Sequence, residues 1–72
     1  MKKCIIAISS VNHALRYEKY LAQKGFKVRI VKLQPHITKK GCAYGLEISC
    51  KDIPAALSLL DNANMPYSEV IR

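Results

Sequence analysis

Three observations predict one α+β domain of the order β-α-β-β-α-β. The chain has 72 residues, enough for a single small core that buries about 60% of the unfolded surface. Short runs rich in isoleucine and valine are interleaved with two longer segments whose apolar residues recur every three or four positions. Glycine, proline and serine punctuate each change of pattern. This order is the split βαβ, or ferredoxin-like, arrangement: a four-stranded antiparallel sheet with two helices on one face. A single ferredoxin-like domain over residues 1–72 is expected.

Each element has its own signal. Residues 3–8, "KCIIAI", read as a central strand. "SSVNHALRYEKYLAQKG" reads as a helix, with Ser9 or Ser10 as N-cap and Gly25 as the stop. Its apolar positions are Val11, Ala14, Leu15, Leu21 and Ala22. Glu18 falls in the middle of that stripe, where a carboxylate needs a partner or a proton. Tyr17 and Tyr20 fall at its edge or back. "FKVRIVKL", residues 26–33, alternates apolar and basic, as a strand with one wet face does. Pro35 and Gly41 bracket the next connection. "CAYGLEISC", residues 42–50, alternates again, with Cys42, Tyr44, Leu46, Ile48 and Cys50 on one side. Asp52 caps a second helix whose stripe is Ile53, Ala56, Leu57 and Leu60, and Pro54 fits its first turn. "YSEVIR" is the last strand.

Composition narrows the function classes. Half the residues are hydrophobic, so the chain is globular rather than disordered. No apolar run nears the roughly 18 residues of a membrane span, and "CIIAI" is too short for a signal peptide. A cytoplasmic protein with no membrane role is expected. There thiols stay reduced, so Cys4, Cys42 and Cys50 are expected as thiols, with Cys4 and Cys50 as small core hydrophobes. The net charge of +7 favours anionic partners. The lysines, at 2, 3, 19, 24, 27, 32, 39, 40 and 51, are scattered and read as a solvated surface. A glycine-aromatic RNA signature is absent, so nucleic acid is not expected as a partner. No pair of cysteines or histidines has zinc-ligand spacing, and neither metal nor cofactor is expected.

Cys42 stands out. It follows Lys39, Lys40 and Gly41 at the start of a strand. In this topology the third strand begins beside the end of the first, where the first helix starts. Strand parity then points Cys42 toward the helix layer. A helix N-terminus offers unpaired N–H donors and partial positive charge, which stabilise a sulfur anion. Ser9, Ser10, Asn12, His13 and Gly41 are the expected anion-stabilising residues. Pairing of Ile6 with Ile48 would put Cys4 near Cys50 at the far end of the sheet. Cys42 would then have no resolving cysteine, which argues against a dithiol oxidoreductase.

The stretch "SSVNHALRYEKYLAQKGFKVRIVKLQPHITKKGCAYGLEIS" resembles a family of small bacterial domains described as selenium/sulfur carrier-like. The resemblance rests on Ser9, Ser10, Ala14, Leu15, Glu18, Gly25, the strand Val28 to Val31, Pro35, Gly41 and Cys42. Many members have glycine directly after the cysteine; here Ala43 and Tyr44 come between Cys42 and Gly45. "HIT" also stands where an arginine-led segment would follow the proline.

The expected function is therefore a sulfur or selenium carrier, or a similar thiol-based accessory protein rather than a stand-alone enzyme. Cys42 would hold a persulfide, or selenium taken up as selenide, between donating and accepting proteins. The alternative is a small non-catalytic module that binds through the open sheet face, which shows Ile5, Ala7 and Val31. That face could pair two copies or bind protein, anion or nucleic acid.

Overall fold

The computed structural model describes residues 2–34, 36 and 42–71. Its elements run β1 (Lys3–Ile8), α1 (Val11–Gln23), β2 (Arg29–Lys32), β3 (Tyr44–Ser49), a 3-10 turn (Cys50–Asp52), α2 (Ile53–Asn62) and β4 (Glu69–Ile71). The protein is α+β, with a four-stranded antiparallel sheet in the order β2-β3-β1-β4. The element order fits the ferredoxin-like expectation. Lys39, Lys40 and Gly41 lie outside the described residues.

Both helices end for the same physical reason. After α1, Gly25 adopts φ +95°. Its N–H donates to the Ala22 carbonyl at 3.0 Å, and the Phe26 N–H donates to Leu21 at 3.1 Å. After α2, Asn64 adopts φ 56°, and the N–H groups of Asn64 and Met65 donate to the Asp61 and Leu60 carbonyls. Each is a Schellman closure, with glycine or asparagine at the left-handed position. At the start of α1, Ser10 is extended and its carbonyl accepts from the Ala14 N–H at 2.9 Å.

The main core joins the two helices to one face of the sheet. Ile6, Ile8, Leu46 and Ile48 pack with Ala14, Tyr17 and Leu21 of α1 and with Ile53, Ala56 and Leu60 of α2. The buried stripe of α1 matches the expected one at Ala14 and Leu21 and differs elsewhere. Ala14, Tyr17 and Leu21 are buried, whereas Val11 is 40% and Leu15 52% exposed. Tyr17 is packed in the core cluster, and its hydroxyl donates to the Pro66 carbonyl at 2.8 Å, just before β4. Burial pushes the Tyr17 hydroxyl pKa up, and the nearby Arg16 charge opposes that shift. Glu18 consequently sits half-buried beside Leu15, Arg16 and Lys19. It is not a core carboxylate in need of a partner.

The β1–β3 register also differs from the expected one. Ile6 pairs with Leu46 and Cys4 with Ile48, a shift of two residues. Alternation fixes which face a side chain takes, and a slip of two keeps every side chain on its face. The pattern therefore cannot choose between the two registers. Cys50 falls past the strand, in the 3-10 turn, and its N–H donates to the Lys2 carbonyl at 3.2 Å. This brings its Cα to 4.9 Å from that of Cys4, and the two form a disulfide, a separation typical of such bridges. The expectation of thiols at Cys4 and Cys50 is corrected by this bridge.

Candidate functional site

The opposite face of the sheet carries a second, smaller apolar cluster. Ala7, Leu33 and Cys42 are its buried members, and Ile5, Val31 and Ile71 pack around them half-buried. Two small residues make room for it: Ala7 on β1 is paired directly with Gly45 on β3. A Cβ on Gly45 would come within 2.5 Å of Ile5 Cγ2, 3.1 Å of Leu33 Cδ1 and 3.3 Å of the Ile6 carbonyl oxygen. Ile5 and Leu33 thus lean into the space above Gly45. The Leu33 N–H donates to the Ala43 carbonyl at 2.7 Å, extending the β2–β3 ladder one step past both strands. That bond holds Leu33 beside the residue that follows Cys42.

Cys42 is 2% exposed. It packs away from the helices, not toward them as strand parity suggests. The physical reason is local: β3 begins at Tyr44, so the alternation that puts Tyr44 and Leu46 on the helix side does not extend back to Cys42.

The residues expected around Cys42 lie as follows. Ser9, Asn12 and His13 are exposed and Ser10 is half-buried. Ser9 and His13 line a cleft of about 250 Å³ with Ile8, Pro66, Tyr67 and Ser68. The His13 ring stacks parallel to Tyr17 with centroids 6.0 Å apart. This places Ser9 and His13 beside the approach to β4, whereas Cys42 is packed with Ala7 and Leu33. Gly41 lies outside the described residues. Sequence reasoning missed Leu33.

Among the described residues, no three His, Cys, Asp or Glu side chains are grouped to hold a metal ion. Nor is any helix long and apolar enough to cross a membrane. A buried thiol in a cluster this small can undergo thiol exchange once the cluster opens, because nucleophilic sulfur chemistry needs only access and a thiolate.

A comparison with protein families matches residues 3–72 to the one described as "Putative Se/S carrier protein-like". Searches of curated proteins and of solved structures find no match. The match covers essentially the whole chain, and the protein belongs to this Se/S carrier protein-like family.

Proposed function

We propose that the protein carries sulfur or selenium on Cys42 between donating and accepting proteins. One observation carries this reading: in a chain of this family, Cys4 and Cys50 are joined to each other, and the chemistry falls to Cys42. The Cys42 thiolate attacks the terminal sulfur of a donor persulfide. The donor S–S bond breaks, a new S–S bond forms on Cys42, and the donor departs as a thiolate. A nucleophile on the acceptor then takes the terminal atom and releases the Cys42 thiolate. The transferred atom keeps its oxidation state, so no oxidant or reductant enters. Selenium moves in the same way from a donor that holds it on sulfur.

Access is the physical requirement. Leu33 and Ala7 cover Cys42, so the cluster must open before either transfer. In this reading Ser9, Ser10, Asn12, His13 and Gly41 stabilise the sulfur anion of the opened state. The test is to treat the protein anaerobically with glutathione persulfide and map the mass. One added sulfur on Cys42, absent in Cys42→Ser, is expected. Labelling that survives Cys42→Ser, or no labelling at all, contradicts the reading.

A second reading, pairing of two copies through the open sheet face, draws on the half-buried Ile5, Val31 and Ile71. Sedimentation of the wild-type protein over a range of concentrations tests this reading separately from sulfur acceptance: self-association is expected if the face pairs, and a monomer throughout rules the pairing out.

A further inference from the structure

Lysines that look scattered in the sequence are gathered by the fold. Lys3 opens β1, Lys27 precedes β2, and Lys51 lies in the turn after β3. These three line one cleft of about 290 Å³ with Gly25, Ser49 and Asp52. An adjoining depression of about 450 Å³ shares Lys3 and Lys27 and adds Ala22, Phe26, Val28, Arg29 and Glu47. Across the two, four cations face two carboxylates. All four cationic residues are exposed, so their charged ends are available to a ligand. Phe26 and Val28 are half-buried against the main core and form an apolar shelf at the other end.

We propose that this groove binds an organic phosphate. The phosphate sits among Lys3, Lys27, Lys51 and Ser49, and the apolar or aromatic part lies against Ala22, Phe26 and Val28. Three ammonium groups brought together from distant points in the chain repel one another, and a multiply charged anion relieves that repulsion. A cleft lined mainly by one sign of charge also raises the local concentration of such an anion. Lysine binds phosphate as a point charge without demanding a fixed geometry, which suits a shallow site. The two depressions together have the size of a small-ligand site. The groove lies at the Lys3–Ser49 end of the β1–β3 pair, while Cys42 precedes Tyr44 at the Ile8–Tyr44 end. The proposal is therefore independent of sulfur transfer.

The test is an amide NMR titration of the full chain at fixed ionic strength. The probes are adenosine monophosphate, inorganic phosphate, adenosine and a short single-stranded oligonucleotide. Adenosine monophosphate should shift Lys3, Lys27 and Lys51 together with Phe26 and Val28, and bind about tenfold more tightly than phosphate or adenosine alone. Combined Lys3→Gln, Lys27→Gln and Lys51→Gln should weaken it by about tenfold or more, with Lys51→Gln alone giving a smaller loss in the same direction. Both variants alter exposed side chains and should keep the rest of the spectrum. The proposal is overturned if inorganic phosphate binds as tightly as the nucleotide, or if the variants bind it unchanged. Shifts spread equally over Lys19, Lys24 and Lys32 would indicate a diffuse basic surface. An oligonucleotide that saturates the groove far more tightly would indicate a nucleic-acid site. Either result also overturns it.

Discussion

Cys4 and Cys42 are equally hidden, each 2% exposed, yet they occupy regions of very different depth. Cys4 belongs to a cluster of eleven buried residues that ties both helices to the sheet, and it is bridged to Cys50. Among the described residues, Cys42 belongs to a cluster of three on the other face. Static exposure therefore does not rank the reactivity of these sulfurs. The free energy of opening does. Exposing Cys4 means taking apart the main core. Exposing Cys42 means displacing Leu33, its described neighbour in the smaller cluster. We expect openings of the second kind to cost a fraction of global stability.

The largest expected effect breaks the deep region. Replacing Cys4 and Cys50 together by alanine releases a cross-link between residues 46 apart. Chain entropy predicts a loss of about 4 kcal/mol, readable as a lower denaturant midpoint. A midpoint unchanged from that of the bridged protein would show that the bridge contributes nothing to the deep region.

Gly45→Ala is the next test, and it acts on the shallow region. The new methyl would meet Ile5 Cγ2 and the Ile6 carbonyl, one a branched side chain and the other backbone. Overpacking of this kind costs about 1–3 kcal/mol. Equilibrium unfolding should show that loss, and amide exchange should show loosening first around Leu33 and Cys42. A neutral substitution would mean that Ile5 and Leu33 do not press on the space above Gly45.

Tyr17→Phe should have the smallest effect. It removes the hydrogen bond to Pro66, worth about 1 kcal/mol. The raised hydroxyl pKa adds a pH signature. Its cause is burial, which favours the neutral phenol in the fold. The contribution is thus fully present below the unfolded tyrosine pKa of about 10. It is lost as pH rises through the higher folded value. Above pH of about 10 the wild type should lose stability faster than the phenylalanine variant. Parallel pH profiles would contradict the burial of that hydroxyl.

The contrast between the two regions also explains what the sequence reveals. Strand β1, both helices and the stop of α1 are legible because the isoleucine run, helical spacing, Ser10 and Gly25 agree. The orientation of α1 is legible only in part: Ala14 and Leu21 lie on the expected stripe, but helical spacing places Val11 and Leu15 beside them as well as it places Tyr17, and in the fold Tyr17 is the one buried. The nearness of Cys4 and Cys50 is legible, but the bridge between them is not, because thiols were expected from a reducing compartment that residue pattern alone does not establish. The face of Cys42 is hidden because parity was extended past Tyr44, where β3 begins. Cys42 itself is picked out by its place between Gly41 and Gly45, but Leu33, its cover, has no local signal.

The central claim is that Cys42 becomes accessible by local opening of the shallow cluster. Native-state alkylation of Cys42 at increasing denaturant, followed by mass mapping, tests it most directly. The account predicts labelling at low denaturant with little dependence on denaturant, well ahead of global unfolding and with the Cys4–Cys50 bridge intact. Labelling whose free energy and denaturant slope equal those of global unfolding would place Cys42 as deep as Cys4, and the account would be wrong.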